Sequence, residues 1–173
     1  MGANRRLRAV GRITVSTTIE KPPEQVFEYL ADIANHAEFT DHYLVDWHLT
    51  RENPYGTGAG ARFRIKAPLS RFSWADMTFS ELQAPSRIVQ RGQGGKFNRI
   101  EMLGTYALSA GPNGATAVQY TLQTEPVMLS DKLLLVLGGR VWSRRQAEKA
   151  MRRLRTILEQ DRGRGTRASV AGG

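Results

Sequence analysis

Apolar and polar residues alternate strictly at the start of the chain. From Ile13 to Ile19 the period is two, which predicts a half-buried strand rich in β-branched residues. Pro22 and Pro23 then interrupt this pattern and suit the first turn of a helix. The apolar spacing that follows predicts a short amphipathic helix from about Pro23 to Ala31. A second short helical segment should run from Asp32 to Phe39, with Asp32 as its N-cap.

The middle of the chain returns to a period of two. Several alternating runs lie between Tyr43 and Thr124, and they are separated by turn signals such as Asn53–Gly56 and Gly111–Gly114. Short connections of this kind join antiparallel neighbours. The pattern therefore predicts a meander of about six strands that follows the two short helices.

The C-terminal part of the chain reads as one long amphipathic helix. Its apolar stripe extends from about Ser130 to Gln160, and the paired glycines Gly138 and Gly139 should bend or interrupt it near its start. Beyond this helix, residues 161–173 are rich in Gly, Arg, Ser and Ala and are predicted to form a disordered tail. Residues 1–10 are predicted to be a basic, flexible N-terminus, so the folded domain should span residues 11–160.

This order of elements predicts an α+β fold with a hollow. A large antiparallel sheet with one apolar face needs a cover, and only the C-terminal helix is long enough to provide it. A curved sheet of about seven strands should wrap around that helix, with the two short helices placed after the first strand. Because sheets twist, the concave face and the helix should not meet everywhere, which predicts a mostly apolar ligand cavity.

Composition and charge restrict the class of protein. The chain has 173 residues and no cysteine, which excludes disulfides and thiolate chemistry, and it has no long apolar run or secretory signal. We therefore expect a soluble, cytoplasmic protein. The net charge of +9 lies at the ends of the chain: residues 1–12 carry +4 and residues 140–173 carry +7, which leaves −2 for residues 13–139. Nucleic-acid binding is disfavoured, because Trp142 is the one aromatic residue beyond residue 139.

Five segments resemble a known superfamily. They are residues 13–19 with the following 21–32, the Gly58–Gly60 turn, Glu81–Ile88, and Gly114–Thr116. Over about residues 11–160 the chain resembles the START-like, Bet v 1-like (SRPBCC) superfamily, specifically its polyketide cyclase/dehydrase and lipid-transport group. The resemblance implies a helix-grip fold. It says less about activity, because the superfamily includes cyclases as well as carriers of lipids, hormones and quinones.

The predicted cavity selects a set of ligand-binding residues. Most are apolar or aromatic residues on the strand parity that should face inward, and the others lie along the apolar stripe of the last helix. Tyr43 is added because the resemblance implies it: cyclases of the group commonly carry a tyrosine at this position. The predicted ligand-binding residues are Tyr43, Trp47, Phe63, Trp74, Met102, Tyr106, Tyr120, Leu134, Leu137 and Val141.

Asp76 and Tyr43 are the candidate catalytic residues. Asp76 shares its parity with Trp74, so a carboxyl group facing an apolar cavity would have a raised pKa and could exchange protons. However, Met77 and Phe79 have the opposite parity, which would place Asp76 in solvent instead. The resemblance also argues against specific cyclase chemistry, because Asp76 and Thr78 stand where the cyclases place a serine and an arginine.

We expect neither a cofactor nor a metal. His36, His42 and His48 are six residues apart, a spacing that fits neither a helical nor a strand metal site. The consecutive apolar residues Leu133–Leu137 cannot all face the sheet, and several arginines follow them. This combination suggests peripheral contact with an anionic membrane or closure of a homodimer.

Two functions share the predicted cavity. The first is binding and carriage of an apolar or amphiphilic small molecule, such as a lipid, an isoprenoid or a polyketide-like compound, oriented by Tyr43, Tyr106 or Tyr120. The alternative is an enzyme of the polyketide cyclase/aromatase type, in which Asp76 and Tyr43 transfer protons.

Overall fold

The elements follow the predicted order closely. The structure is a computed structural model that describes residues 11–68, 74–134 and 138–170, except for the side chain of Leu134. Its strands are β1 (Gly11–Ile19), β2 (Leu44–Leu49), β3 (Gly60–Ile65), β4 (Trp74–Gln83), β5 (Arg87–Gly94), β6 (Ile100–Ala110), β7 (Thr116–Pro126) and β8 (Ser169–Val170). Its helices are α1 (Pro23–Leu30), α2 (His36–Thr40), α3 (Leu129–Leu134) and α4 (Arg140–Gln160).

The described strands form one antiparallel sheet with a short parallel addition. Their spatial order is β1-β7-β6-β5-β4-β3-β2-β8, and only β8 runs parallel to its neighbour β2. Strands β2 to β7 are a continuous meander, as the turn signals predicted, and β1 pairs with β7. The sheet is curved and unclosed, and α4 packs against it. The predicted α+β helix-grip class is confirmed, with one strand more than the expected seven.

The short helices begin where the sequence predicts. Pro23 starts α1, whose Val26 and Leu30 are fully buried. Asp32 caps the 3₁₀ turn Ile33–Asn35, because its carboxylate accepts a hydrogen bond of 3.0 Å from the backbone N–H of Ala34. The long C-terminal helix is interrupted at the glycine pair, as expected. Gly138 has φ +145°, which a residue with a side chain rarely adopts.

Antiparallel pairing places the connections at two opposite ends of the sheet. We call one of them the loop end; there β3, β5 and β7 finish and β1, β2, β4 and β6 begin. It is formed by the described residues 66–68, 95–99 and 127–134, together with the start of α4, whose Arg140 donates a hydrogen bond to the carbonyl oxygen of Arg12. The opposite end holds the β2–β3, β4–β5 and β6–β7 connections.

The segment after α4 differs from the predicted disordered tail. Residues 161–170 run back beside α2, where Gly165 and Ala168 donate backbone hydrogen bonds of 2.9 and 3.1 Å to the carbonyl oxygens of Glu38 and Ala34. Arg164 reaches the Glu38 carboxylate at 2.8 Å, and Arg167 pairs with Asp32. The chain then pairs with β2 as β8. These specific ion pairs and backbone bonds hold a segment whose composition alone indicates disorder. The expected flexible N-terminus, residues 1–10, lies outside the described residues.

None of the described helices has both the length and the apolar character needed to span a lipid bilayer.

Candidate functional site

Two tyrosines stack on the inner face of the sheet, the face that α4 covers. Tyr106 of β6 and Tyr120 of β7 are register partners, and their ring centroids are 4.6 Å apart with an interplanar angle of 33°. Their exposed fractions are only 3% and 8%. The inward orientation predicted from strand parity is therefore observed for both side chains.

A third tyrosine reaches the same region from the segment between α2 and β2. The partly buried Tyr43 packs edge-on against Trp142 of α4, with ring centroids 6.1 Å apart and an interplanar angle of 78°. Tyr43 also packs against the main core cluster, which contains Tyr106 and Tyr120. The structure thus brings together the three predicted tyrosines, which we call the tyrosine cluster.

Burial keeps the tyrosine cluster uncharged. Desolvation raises the pKa of Tyr43 and of Tyr106 well above the usual tyrosine value, and the neighbouring Tyr120 adds to both shifts. Desolvation also raises the pKa of Tyr120 to about 12, against an opposing hydrogen bond from Gln90. At neutral pH all three side chains are phenols, which donate a hydrogen bond and also accept one.

Gln90 of β5 is a site residue that the sequence analysis missed. It is 5% exposed on the inner face, and its register partner on β6 is Gly104. A Cβ atom at Gly104 would come within 2.6 Å of the Gln90 amide nitrogen, so the glycine leaves the space that this side chain occupies. An isolated glycine within an alternating strand was the available signal for this close approach.

Two of the tyrosine hydroxyls have spare hydrogen-bonding capacity. Neither the Tyr43 nor the Tyr106 hydroxyl has a hydrogen-bond partner among the described residues. Each can therefore still donate and accept a hydrogen bond.

The inner face is incompletely covered toward the loop end. A second apolar cluster there, separate from the main core, contains Phe63 and Met102, which are 4% and 8% exposed. Trp47 stacks on Phe63 at 4.5 Å and is only partly buried. Other partly buried apolar residues around this cluster are Tyr43, Ile65, Ile100 and Leu122. The predicted ligand-binding residues Phe63 and Met102 are thus buried next to the tyrosine cluster, and Trp47 with the other partly buried residues forms a half-covered apolar surface beside them.

His36 lies against the tyrosine cluster as a neutral, fully packed side chain. Its ring contacts Tyr106 edge-on, with centroids 5.6 Å apart, and its Nε2 lies 2.8 Å from the carbonyl oxygen of Leu30. Nε2 therefore carries the proton and donates this bond. Desolvation lowers the pKa of His36 to about 4. No group of three or more metal-ligating side chains lies together in the described ranges.

Trp74 and Asp76 lie on the outer face of the sheet, away from the tyrosine cluster. The inner face of β4 is taken by Ala75, Met77 and Phe79, which are all buried. Trp74 is 39% exposed, and the guanidinium of Arg62 lies 5.3 Å from its ring centroid. Arg62 also lies 3.9 Å from the Asp76 carboxylate. The alternative parity, with Asp76 in solvent, is the observed one, because Ala75, Met77 and Phe79 occupy the inner face of β4.

Of the three helical candidates, the structure describes only the side chain of Val141, and it does not join the tyrosine cluster. Val141 is 56% exposed, because it lies on the side of α4 that faces away from the sheet. Leu137 and the side chain of Leu134 lie outside the described residues.

Two depressions on the surface are lined by described residues. One, of about 390 Å³, lies over β4, β5 and β6 and includes Asp76, Arg91 and Glu101. The other, of about 290 Å³, lies between β1 and α4 and includes Arg144 and Met151. Neither opens on the tyrosine cluster, so the interior cavity stays a prediction.

Comparison with known proteins places the fold in a well-populated group. The family model for polyketide cyclase / dehydrase and lipid transport matches residues 10–159. The chain is 16% identical to a Thermus thermophilus protein, TTHA0849, with a TM-score of 0.63 over 85% of this chain and 96% of that one. It is 10% identical to the major latex-like protein 151 of Panax ginseng, with a TM-score of 0.62 over 86% and 97% of the two chains.

A third similar structure is DynU16, from the dynemicin biosynthetic locus. It is 18% identical, with a TM-score of 0.59, over 90% of this chain and 49% of that one. At these identities the three structures establish the fold alone. The comparison with curated proteins gave no match.

Proposed function

The chain belongs to the polyketide cyclase / dehydrase and lipid transport family, and on this premise we propose that it binds an apolar or amphiphilic small molecule between the inner face of the sheet and α4. The observation that carries this proposal is the tyrosine cluster. Two of its hydroxyls, on Tyr43 and Tyr106 in a mostly apolar interior, lack a hydrogen-bond partner among the described residues. Buried polar atoms in this state have donor and acceptor capacity left for a guest molecule.

The half-covered apolar surface supplies the rest of the binding energy in this proposal. A ligand that lies along the partly buried Trp47, Ile100 and Leu122 removes their remaining apolar surface from water, at about 25 cal/mol per Å². Its polar end then reaches the tyrosine cluster and Gln90. Since these polar groups are uncharged, the site favours a neutral carbonyl or hydroxyl group over a carboxylate, which would lose hydration without meeting a cation.

The second candidate function, an enzyme of the cyclase type, retains one supporting observation. Neutral phenols aimed into a dry site can stabilise negative charge on an enolate oxygen, so Tyr43 could serve such a reaction. Asp76 lies on the outer face beside Arg62 and has no route to the same ligand. A cyclase reaction would therefore depend on the tyrosine cluster rather than on a carboxylate.

Removal of the Tyr106 hydroxyl tests the binding proposal. We expect Tyr106→Phe to weaken binding of 2-acetylnaphthalene, a neutral ketone, about fivefold, since one hydrogen bond contributes about 1 kcal/mol. Titration calorimetry measures the two affinities. The matched control is Tyr55→Phe, because Tyr55 is 44% exposed at the opposite end of the sheet. This control should bind as the wild type does.

A second probe separates the apolar and polar parts of the proposal. The carboxylate 2-naphthoate has nearly the same shape as the ketone, and we expect it to bind at least about tenfold more weakly. If neither probe binds, the binding function is wrong. If the carboxylate binds as well as the ketone, the role of the neutral tyrosine cluster is wrong although the binding function holds.

A further inference from the structure

Exposed apolar side chains are gathered at the loop end. Nine large apolar side chains are exposed among the described residues, and all except Tyr55 and Val170 lie there. The other seven are Trp74, Phe97, Val127, Met128, Leu129, Leu133 and Val141. Single exposed apolar residues are ordinary, but a concentration at one end of a molecule marks a contact surface.

Phe97 is the most prominent member of this group on the sheet side. It lies at the tip of the β5–β6 hairpin with φ +58°, a left-handed conformation that costs energy for a bulky residue, and its side chain is 81% exposed. The Lys96 ammonium and the Arg99 guanidinium lie 5.3 and 5.5 Å from its ring centroid. The hairpin thus presents an aromatic ring to solvent between two cations.

The start of the helical segment continues the same surface. The backbone N–H of Val127 donates a 3.0 Å hydrogen bond to the carbonyl oxygen of Arg99, which holds the β7–α3 connection beside the hairpin. Leu129 and Leu133 are one helical turn apart on α3 and are 82% and 58% exposed. Phe97, Val127, Leu129 and Leu133 define what we call the apolar tip.

Cations outnumber acids at the loop end. The described cations at the loop end are Arg12, Lys66, Lys96, Arg99, Lys132 and Arg140, against the acids Glu101, Glu125 and Asp131.

We propose that the loop end docks on an anionic lipid bilayer, with the apolar tip inserted at the headgroup level and the cations of the loop end in contact with lipid phosphates. Apolar residues together with lysine and arginine match both parts of such a surface. A second copy of this chain fits less well, because a two-fold contact through the apolar tip would bring the same cations of both copies together. This proposal does not depend on ligand binding in the interior.

Vesicle flotation tests this docking. We expect the wild-type protein to float with phosphatidylcholine vesicles that contain about 30% phosphatidylglycerol, and not with phosphatidylcholine alone. Phe97→Ser and Leu129→Ser should each lower the bound fraction, with an affinity loss of about tenfold, since each removes one apolar side chain from the bilayer interface. Because both side chains are exposed, the variants should keep the wild-type melting temperature.

Tyr55→Ser is the matched control, because it removes an exposed aromatic residue at the opposite end. It should float as the wild type does. Equal binding to both vesicle types, no binding to either, or full binding by the two tip variants would overturn the proposal. So would light scattering that shows a wild-type dimer and a monomeric Phe97→Ser protein, because the apolar tip would then be a self-association surface.

Discussion

Acidification from pH 7 to pH 4 should remove about 3 kcal/mol of stability through His36 alone. In the folded protein this histidine is fully buried, and desolvation lowers its pKa from 6.5 to about 4. In the unfolded chain it takes up a proton below about pH 6.5. Between these two values the unfolded state binds more protons than the folded state, so stability rises with pH through this window and is lost as the pH falls.

The measurement is the free energy of unfolding in urea as a function of pH, for the wild type and for His36→Gln. Glutamine does not titrate and can still donate a hydrogen bond to the carbonyl oxygen of Leu30. We expect the two curves to run parallel above about pH 7 and the difference between them to change by about 3 kcal/mol between pH 6.5 and pH 4. Carboxylates titrate in both proteins and cancel in that difference.

A direct titration covers the case in which His36→Gln does not fold. Ring resonances of His36 in the wild-type protein should stay in the neutral form until the pH falls to about 4. Protonation near pH 6.5 without loss of structure would show that His36 is hydrated, and the close packing of this side chain against Tyr106 would then be wrong.

Arg164→Ala should lower the free energy of unfolding by about 2 kcal/mol. Glu38 is 7% exposed, and its carboxylate receives hydrogen bonds of 2.8 Å from both Arg164 and the Tyr29 hydroxyl. Loss of the guanidinium leaves a buried charge with Tyr29 as its remaining side-chain partner among the described residues. Breaking a fully buried pair costs about 3–5 kcal/mol, and we reduce this value because the Arg164 side chain is 41% exposed.

Two further variants isolate this effect in urea unfolding experiments. Arg162→Ala removes an exposed arginine from the same segment and should be much less destabilising. Glu38→Gln combined with Arg164→Ala should recover part of the loss, because the amide carries no charge and still accepts the Tyr29 hydrogen bond. Equal effects of Arg162→Ala and Arg164→Ala would contradict the ordered path of residues 161–170.

Strand periodicity predicted most of the fold and the inward orientation of two of the three clustered tyrosines. Alternation placed Tyr106 and Tyr120 on the inner face, and the proline and glycine signals located the helix start and the helix interruption. The same rule did not decide which face of the sheet Asp76 lies on, because Trp74 and Met77 are both large apolar residues on opposite parities. The structure shows why: Trp74 packs with Arg62 on the outer face, a cross-strand contact that periodicity does not contain.

Long-range contacts account for what the sequence did not predict. Arg164 pairs with Glu38 across 126 residues of sequence, so a Gly- and Arg-rich composition conceals an ordered segment. Gln90 was not predicted as a site residue, because a polar residue on an apolar parity is ordinarily assigned to solvent. The exposed position of Phe97 was not predicted, because this residue follows a glycine-rich turn. Only the strand order places it beside α3. Each of these features depends on which elements become neighbours in the folded chain.

Intermolecular nuclear Overhauser effects with bound 2-acetylnaphthalene test the central claim most directly. If the interior holds a guest, protons of this ketone should show contacts with the ring protons of Tyr106 and Tyr120 and with the methyl group of Met102, all of which are less than 9% exposed. Contacts confined to exposed residues such as Phe97, with none to the tyrosine cluster, would contradict an interior binding site.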